Sequence, residues 1–351
     1  MPTITHASLI YPQIHAPRPT GTRRNPLLAL LTMATLIFAS GCADPTTESS
    51  QKGAQPSADG AAEVNVPTTF NTSAEQDRVR AEPDADAVAL LPDDLKASGT
   101  LVVGGGFAGG GLPPLGFLAD DNTTPIGVEV DFAYLFADKL GLEPQVDVTS
   151  WENIFLGLDS GKYDVAISNV GVSEERKEKY DFATYRLGLH AFEAKKGSGL
   201  EVNGPEDVAG KRVAVSSGTL QEGILLAWDE ENKAAGREPI DIAYYQSPTE
   251  YYLALQSGQL DLYLGPNPTA TYHVVTAGET EIVGTVSSSY PIDGKVAVMT
   301  QKGNGTVEAL AAAIDSAIAD GSYQEVLDRW GLGAEAVTGS EINPPGLPKK
   351  D

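Results

Sequence analysis

The sequence predicts an α/β fold with mostly parallel sheets, because short apolar runs alternate with amphipathic stretches from Leu101 onward. The first amphipathic stretch places Phe132, Phe136 and Leu140 on one helical face. Asp131 is the expected N-cap of this helix, and the glycine that follows Leu140 is its expected end. Strand and helix patterns then repeat in the same alternation through most of the chain.

The elements are expected in the following order. Predicted strands are the apolar segments TLVVGG, PQVDVTS, YDVAISN, GKRVAVSS, IDIAYYQ and QLDLYLG. Predicted helices lie in VDFAYLFADKLG, at the start of WENIFLGLDSG, in QEGILLAWDEENKAAG and in YYLALQSG. The last of these follows residues 247–250, SPTE, which form a capping box with proline at the first helical position.

Composition excludes several classes of function. The chain of 351 residues holds 24 Lys and Arg against 48 Asp and Glu, a formal net charge of −24. This balance argues against nucleic-acid binding, which needs clustered positive charge. Cys42 is the only cysteine, so no internal disulfide is possible. His190 and His273 are the histidines that follow Cys42, and neither has a partner at ligand spacing, so we predict no metal and no cofactor.

The N-terminus has the features of an export signal. Residues 1–26 carry three arginines and no acid, residues 27–38 are apolar, and small residues precede Cys42. This pattern resembles a bacterial lipobox, so we predict a lipoprotein signal peptide over residues 1–41. A lipid such as palmitate on Cys42 would anchor the protein to the outer face of the cell membrane. A plain signal peptide is the alternative, and the arginine pair leaves Sec and twin-arginine export both open.

The segments at the two ends of the globular body are expected to be irregular. Residues 42–92 are rich in Ala, Pro, Ser, Thr, Gly, Asp and Glu and poor in large apolar residues. Such a segment cannot bury enough surface to offset its ordering entropy, so we predict a disordered acidic linker. Residues 336–351 are predicted to form an irregular tail.

A glycine-rich stretch, GGGFAGGGLPP, follows the first strand. Gly104, Gly106 and Gly109 match the spacing of a dinucleotide-binding loop, and Glu129 lies twenty residues after Gly109. A dinucleotide loop needs a helix that begins at the glycines, since the helix N-terminus holds the pyrophosphate. The two prolines that follow prevent such a start. We therefore do not assign a nucleotide site here.

Four ordered blocks carry a resemblance to a known family. They are IGVEVDFAYLFADKLG, DSGKYDVAISNVGVSEERKEKYDFATYRLG, GKRVAVSSGTLQE and DGSYQEVLDRWGLG. Over residues 95–333 the sequence resembles extracytoplasmic solute-binding proteins of family 3, the polar amino acid receptors of ABC importers. The resemblance implies the two-lobed type II periplasmic-binding-protein fold, with each lobe a mostly parallel sheet flanked by helices and a two-strand hinge. The implied boundaries are 93–187 with 295–335 for lobe 1, and 188–294 for lobe 2.

The first lobe is expected to hold the ligand's carboxylate. In the family the arginine that matches Arg176 pairs with an α-carboxylate, and a guanidinium fork suits two parallel hydrogen bonds. Ser168, Asn169 and Gly171 lie in the loop before it and are expected to offer backbone and side-chain groups to the ligand. A surface arginine in the charge run EERKEK is the alternative.

The second lobe and the walls supply further candidates. Ser217, Thr219 and Leu220 lie between a strand and a helix, where free amides suit an anion. A plain turn is the alternative there. Trp151 and Phe107 are expected to form apolar walls of the pocket, with ordinary core packing as the alternative for Trp151.

Departures from the family pattern bear on the ligand's identity. The family commonly has hydroxyl residues at the positions of Gly171 and Leu220. Receptors for basic amino acids often have an acid at the position of Gly106, and many amino acid receptors have an ammonium-binding Asp at the position of Pro266. Asn267 could accept a hydrogen bond from an ammonium group but carries no charge. A cationic side chain would lack an evident partner, so we predict an amino acid or a similar compound that is not basic.

The predicted function is that of a monomeric, non-enzymatic receptor. It would bind a small solute that carries a carboxylate and deliver it to ABC permease subunits by closing its lobes. An enzyme of the dehydratase or lyase type on the same fold is an alternative, because Glu174, Glu175 and Glu222 lie near the predicted loops. A sensing module for a membrane signalling partner is another.

Overall fold

The computed structural model describes residues 70–108 and 110–349. The predicted signal peptide, Cys42 and residues 43–69 of the predicted linker lie outside the described residues. No described helix combines the length and the apolar character that crossing a membrane requires.

The described residues alternate between helices and strands, as predicted. The helices are α1 (Ala85–Ala89), α2 (Asp93–Ser98), α3 (Val128–Lys139), α4 (Trp151–Asp159), α5 (Leu220–Ala234), α6 (Pro248–Ser257), α7 (Asn267–Ala277), α8 (Thr306–Asp320) and α9 (Ser322–Arg329). The strands are β1 (Thr100–Gly105), β2 (Phe117–Leu118), β3 (Pro125–Ile126), β4 (Glu143–Val148), β5 (Val165–Ala166), β6 (Tyr180–Lys195), β7 (Arg212–Val215), β8 (Asp241–Tyr244), β9 (Leu262–Pro266), β10 (Thr280–Ser287) and β11 (Gly294–Gln301). Single 3-10 turns lie at Arg176–Glu178, Pro205–Val208 and Gly333–Glu335.

Lobe 1 is built on the strand order β4-β1-β5-β11-β6. β1 runs parallel to β4 and β5, and β11 runs antiparallel to β5 and β6. Helices α3, α8 and α9 bury their apolar faces in one continuous core with this sheet. Phe132 stacks on Phe136 within that core, with ring centroids 5.2 Å apart. The helical spacing of the apolar residues in α3 thus determines which face of the helix packs on the sheet.

Lobe 2 is built on the strand order β6-β9-β7-β8, with β10 on the other side of β6. β7 runs parallel to β8 and β9, and β6 runs antiparallel to β9. Its core is separate from that of lobe 1 and includes Phe192 and Trp228, whose rings stack with centroids 5.4 Å apart. Each lobe therefore has its own hydrophobic core.

Two crossings of the chain join the lobes. β6 is one strand of 16 residues that pairs with β11 in lobe 1 and with β9 and β10 in lobe 2. Gly188 ends its pairing with β11, opposite Gly294, and residues 288–293 form the return crossing. A Cβ atom at Gly188 or Gly294 would lie only 2.1 or 2.0 Å from the Ser288 Oγ. Both glycines are therefore required for the crossings to pack around Ser288.

The start of α3 differs from the prediction. The helix begins at Val128, with Gly127 as its N-cap, so Asp131 is a helical residue rather than the cap. Asp131 is buried and accepts a hydrogen bond of 2.8 Å from the Trp330 Nε1, and Arg78 and Arg329 lie within ion-pair distance. Its carboxylate is thus used in a buried network between elements.

The start of α6 agrees with the prediction in position only. Ser247 is the N-cap and Pro248 is the first helical residue. The Ser247 side chain forms no capping hydrogen bond, however, and the backbone N–H of Glu250 bonds to the backbone carbonyl of Ser247 instead.

Residues 70–92 pack on the globular body, so the predicted disordered linker extends too far toward the C-terminus. The Arg78 Nε lies 3.1 Å from the Asp131 Oδ1, and Phe70 packs against the core of lobe 1. Asp84 caps α1 through the backbone amides of the helix. Composition suggested disorder because the segment has few apolar residues, but buried charge pairs and a few apolar contacts hold it.

The segment 336–349 is irregular and follows the surface of both lobes. Leu347 forms two backbone hydrogen bonds of 3.0 Å with the loop of lobe 1, to Val172 and from Glu174. The Leu347 side chain packs on the core of lobe 2, against Gly223 of α5. The tail therefore contacts both lobes although it has no regular structure.

Candidate functional site

A cavity of about 360 Å³ lies between the lobes, beside the crossing strands. Loops at the carboxyl ends of β1, β4 and β5 line it from lobe 1, and loops at the carboxyl ends of β7, β8 and β9 line it from lobe 2. Ligands of open α/β sheets bind outside the carboxyl ends of the strands. The cavity therefore occupies the position where this architecture favours a small-molecule site.

Arg176 is the cationic group of the cavity. Its Nη1 donates to the Gly171 carbonyl at 2.9 Å, and its Nη2 donates to the Gly218 carbonyl in lobe 2 at 3.1 Å. The guanidinium carbon lies 5.3 Å from the centre of the Trp151 ring. No carboxylate of the described residues forms an ion pair with Arg176. Burial lowers the pKa of Arg176 to about 10, which still leaves it cationic at neutral pH.

The N-terminus of α5 faces the same space from lobe 2. Thr219 caps the helix and its Oγ1 accepts from the Glu222 amide at 3.2 Å, while the Glu222 carboxylate accepts from the Gly218 amide at 2.7 Å. The amides of Leu220 and Gln221 form no hydrogen bond within the described residues, and both residues line the cavity. Free amides at a helix N-terminus favour an anion.

Trp151, Ser168 and Asn169 line the cavity from lobe 1, as expected, but one polar atom of each side chain already has a partner in the protein. The Trp151 Nε1 donates to the Gly218 carbonyl at 3.3 Å, and the Ser168 Oγ accepts from the Gly106 amide at 3.0 Å. The Asn169 Oδ1 accepts from Arg186. These residues therefore shape the cavity and contribute fewer free polar atoms than the sequence suggested.

Gly171 and Leu220, the two positions that depart from the family's hydroxyl pattern, form one contact between the lobes. A Cβ atom on Gly171 would lie 2.4 Å from the Leu220 Cδ1. The leucine side chain thus occupies the space beside Gly171. An apolar contact across the cleft takes the place of two polar side chains.

Three predicted site residues do not line this cavity. Phe107 is buried in lobe 1, where its ring packs beside Gly105 and Gly116. Ser217 is exposed, and its neighbour Ser216 lines the cavity instead. The neighbouring residues Gly106, Ala108 and Ser216 do line the cavity, so both loops border the ligand space while the side chains of Phe107 and Ser217 lie outside it.

Asn267 also lies elsewhere, at the first position of α7. It lines a second cavity of about 370 Å³, and its Nδ2 lies 3.5 Å from the Glu335 Oε1. Pro266, the residue before it, lines the first cavity. The one-residue step from strand to helix thus sends the Asn267 side chain away from the predicted ligand.

His190, Tyr251 and Ser288 are candidate site residues that no sequence motif predicts. All three are buried, line the first cavity, and have side-chain polar atoms without a partner in the described residues. Burial and the nearby charge of Arg176 lower the pKa of His190 to about 3, so its ring is neutral. The sequence signal that points to His190 is a histidine inside the apolar strand LGLHAFEA. The described residues contain no cluster of three His, Cys, Asp or Glu arranged to hold a metal.

Comparison with known proteins places the chain among binding proteins. Residues 107–333 match the family model of bacterial extracellular solute-binding proteins, family 3. The chain is 34% identical over 253 residues to the L-cystine-binding protein TcyJ of Escherichia coli (strain K12), which covers 70% of this chain and 88% of that protein.

Solved structures share the fold. An ancestral arginine-binding protein bound to arginine is 28% identical, with a TM-score of 0.57 over 66% of this chain and 98% of that chain. The ancestral amino acid-binding protein AncCDT-1, described as a precursor of cyclohexadienyl dehydratase, is 23% identical, with a TM-score of 0.57 over 69% and 98% of the two chains. The second likeness shows the fold alone. Together with the two-lobed topology, such neighbours confirm the predicted type II periplasmic-binding-protein fold.

Proposed function

Because the chain belongs to the bacterial extracellular solute-binding proteins of family 3, we propose that it is a receptor that closes two lobes on one amino acid and delivers it to the permease of an ABC importer. The ligand's α-carboxylate would lie between Arg176 of lobe 1 and the first amides of α5 in lobe 2. This arrangement links binding to closure, since the two halves of the anion site belong to different lobes.

The observation that supports this proposal most directly is the unpaired charge of Arg176. A partly buried guanidinium without a carboxylate partner is costly unless a ligand supplies one. Arg176 uses one N–H of each Nη group for backbone carbonyls, which leaves further N–H groups for an anion. The free amides of Leu220 and Gln221 add donors on the facing side.

The charge of the cavity favours an amino acid that is not basic. Within the described lining, Glu152 is the one carboxylate, and it is exposed at the edge of the cavity. A lysine or arginine side chain would therefore add a positive charge close to Arg176 without a buried acid to pair with. We propose a neutral amino acid, with L-cystine as the first candidate because a relative at 34% identity is named for it.

A receptor is favoured over an enzyme on the same fold. General acid or base catalysis requires a titratable group placed at the reacting atoms. Glu174 and Glu222 are held by other groups: Glu174 pairs with Lys177 at 2.8 Å, and Glu222 accepts from the Gly218 amide.

We further propose that a lipid on Cys42 anchors the monomeric protein to the outer face of the cell membrane. Loss of metabolic lipid labelling in a Cys42→Ser variant tests that part.

Calorimetry on the full chain, extracted in mild detergent and freed of bound solutes, tests the ligand proposal. L-cystine, L-glutamine, L-arginine and L-glutamate are the probes. We expect binding of a neutral amino acid, and a loss of affinity of about 100-fold or more in Arg176→Ala because the carboxylate loses its charge-assisted fork. Arg212→Ala is the matched control, since Arg212 is an exposed arginine of lobe 2 outside the cavity. Binding that survives Arg176→Ala would refute the carboxylate site, and preference for L-arginine would refute the proposed ligand class.

A further inference from the structure

Three buried polar side chains of the ligand cavity have no hydrogen-bond partner within the described residues. His190, Tyr251 and Ser288 are 4%, 1% and 1% exposed. Both ring nitrogens of His190, the hydroxyl of Tyr251 and the Oγ of Ser288 lack a partner with good hydrogen-bond geometry, although the Leu189 backbone lies near the His190 ring and the Tyr263 side chain lies near the Tyr251 hydroxyl. Polar side chains buried in proteins are hydrogen-bonded in the large majority of cases. Three exceptions that line one cavity point to a ligand that satisfies them.

Packing fixes the positions of these three groups. His190 lies on β6 directly opposite Pro266 of β9, and both residues line the cavity. The Ser288 Oγ lies in the niche that Gly188 and Gly294 leave open at the crossings. The Tyr251 ring stacks on Tyr263 with centroids 3.8 Å apart and planes within 13°. Donors held in place in this way lose little conformational freedom when a ligand binds.

We propose that His190, Ser288 and Tyr251 form a second polar end of the cavity, which hydrogen-bonds a polar group of the ligand other than its α-carboxylate. The receptor would therefore select neutral amino acids with a polar side chain over aliphatic and cationic ones. This inference rests on the proposed function, because it takes the carboxylate to lie at Arg176.

The chemistry of the three groups defines what they can bind. A neutral imidazole donates from one nitrogen and accepts at the other, and a hydroxyl both donates and accepts. An amide, a hydroxyl or a second amino-acid head, as in L-cystine, presents donors and acceptors together. An aliphatic side chain would leave the three groups buried and unpaired, and sites built to hydrogen-bond a substrate reject analogues that lack the group.

Cationic side chains are disfavoured for a separate reason. Burial and the positive charge of Arg176 keep His190 neutral, so the imidazole brings no negative charge to the site and already lies within the field of one cation. The one carboxylate of the described lining, Glu152, is exposed. A buried ammonium would thus have hydrogen-bond acceptors but no counter-charge.

The test is a change of specificity measured by calorimetry on the full chain with L-cystine, L-glutamine, L-leucine and L-lysine. Wild type is expected to bind L-cystine or L-glutamine at least about tenfold tighter than L-leucine and L-lysine. His190→Leu removes both nitrogens at similar volume, and should reduce the preference for the polar ligand over L-leucine by about tenfold or more. His190→Gln keeps a donor and an acceptor and should retain part of the preference.

If His190 had a purely structural role, His190→Leu would lower the melting temperature of the ligand-free protein. His190→Leu should leave the melting temperature of the ligand-free protein unchanged or raise it, since an apolar side chain replaces unpaired buried polar atoms. Thr269→Val is the matched control, because Thr269 has a buried hydroxyl without a described partner but lines neither cavity. It should not alter the ratio of affinities.

The outcomes separate this inference from the proposed function. An unchanged ratio in His190→Leu, or a wild-type preference for L-leucine or L-lysine, would overturn the inference while Arg176-dependent binding still supported the receptor. If no amino acid bound to wild type, both proposals would fail. If His190→Leu did not fold, Tyr251→Phe would carry the same test, because it removes a single oxygen atom from the same end of the cavity.

Discussion

Two cavities of nearly equal volume, about 360 and 370 Å³, lie beside the crossing strands, and Gly188 and Leu189 contribute to both walls. The first contains the unpaired Arg176 and His190. In the second, the buried carboxylate of Glu335 is paired with Arg186, and the Phe70 ring packs on neighbouring aromatic rings. Volume therefore does not distinguish a ligand site from a packing space in this molecule. The two cavities differ instead in whether their buried polar groups have partners in the described part of the protein.

Arg186 and Arg176 should respond differently to substitution by alanine, because Arg186 is paired with buried carboxylates and Arg176 is not. The larger loss of stability is expected at Arg186. Arg186→Ala would leave Glu129 and Glu335 buried without their common counter-charge. We expect the free energy of unfolding of the ligand-free protein to fall by about 3–5 kcal/mol. Urea unfolding at neutral pH measures this loss. Arg176→Ala breaks no described ion pair but removes two hydrogen bonds to backbone carbonyls, so it should cost about 1–2 kcal/mol. Equal losses in the two variants would remove the distinction between the cavities.

His190 should make stability depend on pH. Its pKa is lowered to about 3 in the folded protein, against an ordinary value of about 6.5. Between these values the unfolded chain binds a proton that the folded protein does not, so stability falls as the pH falls from 6.5 toward 3. The free energy of unfolding of wild type should decrease relative to His190→Leu by about 1.5 kcal/mol between pH 6.5 and pH 5. Denaturant unfolding of both proteins at each pH provides the comparison, and a constant difference would show that the pKa of His190 is the same in the folded and unfolded protein.

The contact between Gly171 and Leu220 should control closure over the first cavity. Gly171→Ala would place a methyl group 2.4 Å from the Leu220 Cδ1 and strain the closed form. Overpacking of this kind costs about 1–3 kcal/mol, so affinity should fall by about tenfold. Leu220→Ala in the same protein should restore most of the loss, and titration of the single and double variants measures the coupling. Additive effects would mean that the two residues do not meet in the ligand-bound protein.

The smallest effect is expected in the second cavity. Asn267→Ala removes a side chain that was predicted from sequence to contact the ligand but lies beside Glu335. Affinity for the amino acid should change by at most about twofold. A larger loss in a calorimetric titration would show that the second cavity takes part in binding. Unpaired buried polar groups would then not be enough to identify the ligand site.

The fold was predictable because its signals are local and repeated. Alternating apolar runs gave the strands and helices, and ordered sequence blocks gave the two-lobed architecture. The start of α3 was misplaced because Asp131 looks like a cap in sequence but pairs with arginines and Trp330 in the folded protein. The predicted disordered linker was too long because composition carries no information about a few long-range contacts, such as that between Arg78 and Asp131.

The site was predictable only where a motif marks it. Arg176 and Thr219 lie at strand-to-helix loops, whose position at the carboxyl edge follows from the topology. His190 lies inside a strand. The alternation of side chains along a strand predicts which face of the sheet a residue occupies, but it does not predict that a cavity lies against that face. Asn267 shows the same limit, since a shift of one residue from Pro266 changes which cavity is lined.

The position of Ser288 in the niche between Gly188 and Gly294 has a mechanical consequence. When the lobes rotate about the crossings, each atom moves in proportion to its distance from that axis. The 3.1 Å bond from Arg176 to the Gly218 carbonyl joins residues of different lobes and would have to break on opening, whereas Ser288 is packed between the crossings and would move little. In the receptor that we propose, the polar groups around Ser288 would therefore keep their positions when the lobes open, and closure would add the clamp at Arg176.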